Sequence, residues 1–534
     1  MYTRIGLGLV MMFSAACSGD AFTTGDAGAG GDAGNAPPTG GGGADGGSEA
    51  SNPPPPPPGC DTTKLPTDDV CVVNDSEGVF VSSSLGSATG DGTQAHPLAS
   101  FDAALTLAKS SQRRVYACAE SYAEPIHLQE GTSVFGYFTC SAGWVIGAAH
   151  AAVKAPASPV AVASNIVAPT RIEAVDLVAP DYTSQSQSSI ALIATASPGL
   201  TITHATIHAG TGGAGANGVD GIQLTDSGSA KNGAVSWNDG VCTGSCTLAL
   251  LLDTKEPAGG TNTCTGASGY AGGPGGSGGT GGEYEANSWG TWTTTISVAV
   301  GNPTTPSSQT AEGGTYGIGG SAGAVGTNGS DGTSGGAMGV ISSSGYTTSD
   351  GTSATSGAPG QGGGGAGGYS LSSANNYPAS SYPNYYGWGE PGAGGGAGGC
   401  PGLAATLGTG GGASIAVIAM QSPFTLDTVT IESSGGGAGG SAGGPSAPTA
   451  GGIGGNPAHF TGYGGNGGAG GNAGVSGNGG GGPSVGIAYQ GTEPTLLATN
   501  VTPGAGGAGV NVRTVNGEII PASPSGTSAA TYSF

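Results

Sequence analysis

The segment TRIEAVDL, residues 170–177, brings together residue types that could cleave a polysaccharide. Arg171, Glu173 and Asp176 are interspersed with apolar residues, so we expect all three to point away from the core, with Asp181 just beyond them. Carboxylates about 5–9.5 Å apart catalyse glycoside hydrolysis. The alternative interpretation is an ordinary solvated strand face. These three residues are therefore weak catalytic candidates, and enzyme activity stays open.

The charge balance weighs against this chemistry and excludes one class of partner. The chain has 10 Lys and Arg against 33 Asp and Glu, a net charge of −23, and no basic residue between Lys255 and Arg513. Nucleic acid is not an expected partner, because phosphate binding needs a basic face. The same scarcity leaves few bases for polysaccharide cleavage, so the sequence favours a protein without catalytic activity.

Two further catalytic patterns match only weakly. His204 and His208 have the spacing of a metalloprotease pair, but Ala205 stands where the Glu is needed. Glycine abundance alone produces G-x-S-x-G matches, and none lies between a predicted strand and a helix. The matching serines are Ser277, Ser321, Ser334 and Ser441. We therefore expect no metal and no cofactor.

The N-terminus indicates export. Arg4 is the only charge before the apolar run IGLGLVMMF, which is too short to span a bilayer, and the small residues SAA lead to Cys17. This arrangement resembles the lipobox of bacterial lipoproteins, although Ser replaces the usual Leu three residues before the Cys. The resemblance implies a signal peptide over 1–16, acylation of Cys17 and, from Ser18, an outer-membrane or cell-surface location. An ordinary cleaved signal is the alternative.

The other eight cysteines of this exported chain predict disulfides. Cys118 and Cys140 lie at the ends of neighbouring β segments, and Cys60 and Cys71 enclose a small loop, so we expect these two pairs. Four cysteines remain whose pairing stays open: Cys242, Cys246, Cys264 and Cys400. Zinc is the competing interpretation of the first three, but no His lies near them.

Composition divides the rest of the chain. Residues 17–59 are rich in Gly, Ala and Asp and end in six prolines, which predicts a tether with a flexible part of about 30–35 Å and a rod of about 19 Å. Glycine makes up 9 of the 140 residues in 61–200 but 91 of the 334 in 201–534. We therefore expect a β domain over 60–209 and a glycine-rich region with interspersed strands over 210–534.

The β domain begins with a strand at 78–82 and a short helix. Ser100 can cap this helix, whose apolar residues Phe101, Leu105 and Ala108 fall on one face. Short β segments follow at 115–118, 126–128 and 134–137. The stretches VYACAESYAEPIHL and SVFGYFTCSAGW resemble the start of pectin-lyase-like right-handed β-helices, in which a helix covers the open end. The resemblance extends over about residues 78–145. It also implies possible polysaccharide lyase or hydrolase activity, in which lyases use clustered acids, commonly with calcium, and a basic residue.

A strand repeat continues this pattern. Residues 170–177 and 200–207 align at a spacing of 30, and 424–431 is a third copy with apolar residues in the same places. The lead-ins SIALIATASP and SIAVIAMQSP also match, and a weaker copy lies at 484–501. Alternation broken by one extra residue predicts two strands around a bend.

Glycine also recurs at every third residue over 314–335 and again over 465–480. Three residues is the period of polyproline II, and one bare face per turn lets another backbone approach. The first tract has no proline, so a collagen triple helix is not expected. Several short polyproline II segments packed together are favoured, which resembles glycine-rich antifreeze-type bundles and the mycobacterial PGRS class. A mobile glycine coil is the alternative.

We therefore expect a mainly β fold, a right-handed parallel β-helix with an N-terminal capping helix, extended by a polyproline II-like, low-complexity glycine region. The expected function is a lipid-anchored cell-surface protein with a structural or adhesive role. Its expected partner is the membrane, with extracellular polysaccharide or other envelope components as further candidates. Binding or cleavage of polysaccharide is the alternative.

Overall fold

The computed structural model shows a mainly β protein, with one α-helix among the described residues. The described residues are 60–236, 257–278, 294–298, 307–311, 319–368, 391–457 and 461–534. Cys17, the expected signal peptide and the tether lie outside them. Most of the strands form three parallel sheets, which we name A, B and C.

Each sheet collects strands from distant parts of the chain. Sheet A contains β1 (Gly78–Val81), β2 (Arg114–Cys118), β5 (Val134–Thr139), β9 (Thr170–Glu173), β12 (Leu200–Thr203), β19 (Thr425–Asp427) and β22 (Thr495–Leu497). Sheet B contains β3 (Ser121–Tyr122), β7 (Ala151–Val153), β10 (Val175–Val178), β13 (Thr206–Ala209), β20 (Thr430–Ser433) and β23 (Asn500–Thr502). Sheet C contains β4 (Ile126–Leu128), β8 (Ala161–Ser164), β11 (Ser189–Thr195), β18 (Ser414–Met420), β21 (Ser484–Gln490) and β26 (Ser528–Ser533).

The remaining strands form antiparallel pairs. They are β6 (Val145–Ile146) with β5, β14 (Thr294–Val298) with β15 (Ser307–Ala311), β16 (Val340–Ser342) with β17 (Gly345–Thr347), and β24 (Arg513–Val515) with β25 (Glu518–Ile520). Three short 3₁₀ helices cover Val70–Val72, Cys140–Ala142 and Gly228–Lys231.

The chain visits the sheets in the fixed order C, A, B. Four such triplets follow one another: β8–β9–β10, β11–β12–β13, β18–β19–β20 and β21–β22–β23. Thr170 pairs with Leu200, and Ile202 pairs with Leu426, so the predicted repeats are neighbouring strands. Strands after residue 413 thus join the same sheets as strands before residue 210.

One left-handed residue separates the A strand from the B strand in each triplet. These residues, with φ between 46° and 57°, are Ala174, His204, Thr428 and Ala498. The N–H of Ala174 donates to the carbonyl of Thr203 in the next triplet. The extra residue that interrupts the alternation in the sequence is therefore the residue that turns the chain from sheet A to sheet B.

Apolar side chains from all three sheets meet in one core. Its inner members include Leu192, Ile202, Ile207, Val417, Leu426 and Ile431. The helix α1 (Phe101–Ser111) packs against β1, β2 and β4, strands at the start of the sheets, and buries Phe101 and Leu105. The hydroxyl of Ser100 accepts the N–H of Ala103 at 3.2 Å, which confirms the predicted helix and its cap.

A second cluster consists of aromatic side chains from β1, β2, β5 and the turn that follows. Its largest members are Phe80, Tyr116, Phe135, Tyr137, Phe138 and Trp144. The chain before β1 packs on this cluster through Leu65 and Val73, and the Tyr116 hydroxyl donates to the carbonyl of Val72 at 2.7 Å. Two disulfides stabilise this region.

The glycine-rich insertions all enter between a B strand and the next C strand. Their described parts are 212–236, 257–278, 319–336, 349–368, 391–413, 435–457, 461–483 and 504–527. We call these eight segments together the glycine bundle, because backbone hydrogen bonds join them to one another. The hairpin β16–β17 connects two of them and places Ile341 against Ile190 and Ile193 of sheet C.

The bonds recur at every third residue. At 2.8–2.9 Å, the N–H groups of Gly320, Gly323, Gly326, Gly329, Gly332 and Gly335 donate to the carbonyls of Tyr463, Asn466, Ala469, Asn472, Val475 and Asn478. Most of the predicted 314–335 tract thus lies in a regular ladder with the period of polyproline II.

A segment contains more glycine where it has more neighbouring segments. The segment 319–336, whose other positions are mostly exposed, has glycine at every third residue. The segment 391–413 is largely buried and contains consecutive glycines that face different neighbours. A methyl group on Gly394, Gly395 or Gly396 would overlap the carbonyl oxygen of Ala258, Gly363 or Gly452, respectively. Runs of glycine therefore mark the interior of the bundle.

Candidate functional site

The predicted catalytic candidates begin on β9. Its residues Arg171 and Glu173 are two positions apart and share one face of sheet A. Arg171 Nε donates to Glu173 Oε2 at 2.6 Å, and the Glu173 side chain is only 7% exposed. Pairing compensates for the cost of burying this carboxylate. Glu173 is thus paired with Arg171 on the same strand.

Asp176 lies beyond the corner, on β10 of sheet B. Its Oδ1 accepts the N–H of Thr206 at 2.7 Å and lies 3.1 Å from Nδ1 of His150. Ala174, the left-handed corner residue, separates Asp176 from the Arg171–Glu173 pair. Among the described residues, the polar contacts of Asp176 do not include that pair. The structure therefore places the three candidates on two sheets, with separate partners.

Asp181 has a structural contact of its own. Its Oδ1 accepts both the N–H and the hydroxyl of Thr211, at 2.7 and 2.9 Å. These bonds, the one from the backbone most of all, hold the pKa of Asp181 below its usual range. Asp181 thereby fixes the chain where it leaves sheet B for the glycine bundle.

Tyr137 is a residue near this pair that sequence patterns did not single out. It is 5% exposed, and its hydroxyl has no hydrogen-bond partner among the described residues. Burial raises the pKa of Tyr137, and the charge of Glu173 raises it further. A phenol in this setting stays protonated at neutral pH. In the sequence it looks like any aromatic core residue.

The two histidines with metalloprotease spacing have different partners. His204 Nδ1 lies 2.9 Å from the Thr203 hydroxyl and 3.9 Å from Glu173 Oε1. His208 Nδ1 lies 3.5 Å from Glu432 Oε2 on the neighbouring strand. In the described part of the chain, the one group of three with metal-ligand spacing is Cys60, Asp69 and Cys71. Both of its cysteines are disulfide-bonded, so it offers no thiolate.

Three disulfides are present among the described residues. Cys60 bonds to Cys71 and Cys118 to Cys140, the two pairs expected from the sequence. Cys264 bonds to Cys400 across 136 residues and joins two segments of the glycine bundle. A sulfur in a disulfide is not a zinc ligand, so Cys264 does not fit the zinc interpretation. Cys242 and Cys246 lie outside the described residues.

The serines of the G-x-S-x-G matches lie in the glycine bundle. Ser441 donates to Asn217 Oδ1 at 3.1 Å, and Ser334 donates to the carbonyl of Pro521 at 3.2 Å. Ser321, Ser334 and Ser441 do not stand on strand-to-helix turns, so these three are not nucleophile elbows. The residues from 279 on, just after Ser277, lie outside the described part of the chain.

Side-chain acceptors are the functional residues of the bundle that pattern reading missed. Most of the hydrogen bonds between the segments join backbone N–H groups to carbonyls. Short polar side chains accept further N–H groups, such as those of Ala216, Ser441 and Gly444. Such acceptors include Asn217, Asp220, Asn328, Asp331, Thr352, Thr355, Thr406 and Thr409. This use of short acceptors accounts for the abundance of Asn, Asp, Ser and Thr between the glycines.

No helix within the described ranges is long and apolar enough to cross a bilayer. No protein-family model, curated protein or solved structure matches the chain.

Proposed function

We propose that this chain is a lipid-anchored cell-surface protein in which parallel sheets carry a glycine bundle with a structural or adhesive role. The observation that carries the proposal is the backbone ladder between glycine segments, which orders a long extension with little side-chain core. Such a bundle suits display outside the cell, because its order depends little on charge or on apolar volume.

The fold assignment is part of the proposal. We infer that the three sheets form a single right-handed parallel β-helix and that the bundle segments are polyproline II helices. The fixed order of strand triplets supports the first inference, since crossovers between parallel strands are right-handed in about 98% of cases. The three-residue bonding period supports the second.

The ends of the bundle segments suggest where adhesion would occur. Near the sheets, Gly213, Gly412, Gly437 and Gly482 are linked in one row of hydrogen bonds. At the other end, Ala234, Gly394, Gly455 and Gly464 form a matching row.

Exposed apolar side chains occur at the same end. Tyr463 is 66% exposed, Ile453 is 65% exposed and Val235 is 55% exposed. Aromatic residues are enriched at protein interfaces, and exposed apolar groups that lie together often mark a contact surface. The end of the bundle away from the sheets is therefore the proposed adhesive end.

Anchoring is tested by replacing Cys17. We expect Cys17→Ala to move the protein from the membrane fraction to the soluble fraction of cells that express it. Unchanged membrane association would refute the anchor. Adhesion is tested by attachment of cells displaying a Tyr463→Ser/Ile453→Ser variant. Val219→Ser, at a residue 71% exposed elsewhere in the bundle, is the matched control.

Polysaccharide binding or cleavage along the flank of the sheets is the second candidate. In sheet A, Arg171, Thr201, Thr425 and Thr495 are in register on successive strands, between inward-facing apolar residues. Polar groups then repeat at the strand spacing of about 4.8 Å, which suits an extended polymer. A polysaccharide screen with and without calcium tests this, and Arg171→Ala or Asp176→Ala should abolish binding or product release.

A further inference from the structure

A serine, a histidine and a carboxylate lie together on the outer face of sheet B. His208 on β13 pairs in register with Glu432 on β20. Glu432 Oε2 is 3.5 Å from Nδ1 of His208, and the hydroxyl of Ser434 is 3.5 Å from Nε2 of the same ring. The acid and the hydroxyl thus face different nitrogens of one imidazole. This is the order of groups in a serine-histidine-acid hydrolytic site.

The backbone holds these groups in place from both sides. Ser434 directly follows β20, and its N–H donates to the carbonyl of Ala209 at 3.0 Å. Its own carbonyl accepts the hydroxyl of Ser484 at 2.5 Å. The carbonyl of the next residue, Gly435, accepts the N–H of Gly212 at 3.0 Å. The nucleophile candidate is thereby fixed between the sheet and the first residues of the glycine bundle.

Two carboxylates lie around the imidazole of His208. Glu432 faces His208 from the neighbouring strand, and Asp181 is close enough for the two to interact electrostatically. With the Nδ1 proton directed at Glu432, Nε2 is free to accept the proton of the Ser434 hydroxyl. Both 3.5 Å distances are long, as is common in resting sites before substrate binds.

An N–H group beside the hydroxyl could stabilise an oxyanion. Ser434, Gly436 and Gly437 donate their N–H groups to backbone carbonyls, whereas the N–H of Gly435 has no acceptor among the described residues. Space is available there, since a methyl group on Gly435 would still be 3.7 Å from the carbonyl oxygen of Ala505. In α/β-hydrolases, the N–H of the residue after the nucleophile is one of the oxyanion donors.

The geometry points to a hydrolytic site for O-acyl esters, with Ser434 as nucleophile, His208 as general base and Glu432 as the positioning residue. Ser434 Oγ attacks the ester carbonyl while His208 Nε2 takes its proton, and the carbonyl oxygen becomes an oxyanion near the Gly435 N–H. When the C–O bond breaks, His208 returns the proton to the leaving alcohol. Water then attacks the acyl-serine, releasing the carboxylic acid and restoring Ser434.

The setting of the site defines the substrate class. The side chains of His208 and Glu432 are 33% and 48% exposed, on the outer face of a sheet. A small acyl group carried on a larger, extended molecule can reach Ser434 there. The inferred substrate is therefore an acyl ester on a polymer, with an O-acetylated polysaccharide as the leading example.

The first experiment treats the full-length protein with a fluorophosphonate, which forms a covalent adduct with activated serines, and maps the adduct by mass spectrometry. We expect a single adduct on Ser434, absent in Ser434→Ala and unchanged in the control Ser441→Ala. His208→Gln should slow labelling by about 10²-fold or more, since general-base catalysis contributes about 10²–10⁴-fold. Absence of an adduct on Ser434 in the folded wild type would overturn the assignment.

The second experiment follows hydrolysis of p-nitrophenyl acetate from pH 5 to 9. We expect a rate that depends on pH, as hydrolysis by a general base does, and a lower rate in Glu432→Gln with substantial recovery in Glu432→Asp. Equal rates in wild type and Ser434→Ala would contradict the proposal, as would labelling that is insensitive to His208. Neither result would affect the anchoring and adhesion experiments, which do not involve Ser434.

Discussion

The sheets and the glycine bundle bury backbone in two different ways. In the sheets, alternate side chains such as Leu426 and Ile431 fill a core and are 0% exposed. In the bundle, the backbones themselves are in contact at the glycine positions, which carry no side chain. The sheet core tolerates changes in side-chain volume, because its side chains can repack. The bundle does not tolerate an added methyl group in the same way, since a carbonyl oxygen fixed by hydrogen bonds has little freedom to move.

The largest expected effect is therefore an added methyl group inside the bundle. In Gly398→Ala the new methyl group would overlap the carbonyl oxygen of Gly360. We expect the free energy of unfolding to fall by an amount at or above the upper end of the ~1–3 kcal/mol typical of overpacking, because the backbone has to move. Hydrogen exchange should show lost protection of the Gly360 N–H, which donates to Gly399, while the strands of sheet A stay protected.

Gly336→Ala is the matched control. The nearest atom to its new methyl group would be the Ser349 hydroxyl oxygen, at 3.7 Å. We expect the free energy of unfolding to change by no more than about 0.5 kcal/mol, or to rise slightly because alanine makes the unfolded chain stiffer. Equal destabilisation by the two variants would show that close backbone contact is not what makes interior glycines necessary.

The second expected effect is in the sheets. Leu426→Ala removes a fully buried side chain from the core and should cost about 2–5 kcal/mol, depending on how far the neighbours relax. Leu497, 50% exposed on the neighbouring strand, is the control, and Leu497→Ala should change stability by less than about 0.5 kcal/mol. Chemical denaturation of both variants measures the difference. If Leu426→Ala lowered the free energy of unfolding by much more than Gly398→Ala, the sheet core and not the bundle would be the less tolerant region.

Local sequence patterns were enough to predict the strand repeats and the helix. The repeat at a spacing of 30 predicted neighbouring strands because each residue pairs with its equivalent in the next copy. The extra residue in each repeat predicted a bend, which is the left-handed corner at Ala174 and His204. Glycine spacing likewise predicted contact between backbones. In each case the signal repeats within a few tens of residues.

The third effect concerns the side-chain acceptors of the bundle. Asp331 Oδ1 accepts the N–H of Val475 at 2.9 Å. Asp331→Ala leaves that N–H without its acceptor and should cost about 0.5–1.5 kcal/mol. Asp331→Asn keeps an amide oxygen in the same place and should restore most of the loss, as Asn328 does for Asn472. Thermal unfolding compares the variants. Equal melting temperatures for Asp331→Ala and the wild type would show that these acceptors do not stabilise the bundle.

Side-chain contacts across the long insertion could not be predicted from local patterns. His208 and Ser434 are 226 residues apart, and Cys264 and Cys400 are 136 apart. The repeat copies at 200–207 and 424–431 indicated which strands pair after the insertion, but they do not show which side chains outside the copies come into contact. The candidates Arg171, Glu173 and Asp176 were found because they are close in sequence, but the corner at Ala174 separates them in space.

The smallest expected effect is a pH dependence at the junction between sheets and bundle. The pKa of Asp181 is below its usual range because Thr211 donates two hydrogen bonds to its carboxylate. The stability from this carboxylate is therefore present above its unfolded pKa of about 3.9 and is lost as pH falls through the lower folded value. Asp181→Asn should lower the melting temperature slightly at pH 6, by an amount that shrinks toward pH 2.5. Because Asp181 is largely exposed, water weakens the effect, and a constant difference across this range would mean that its charge does not stabilise the junction.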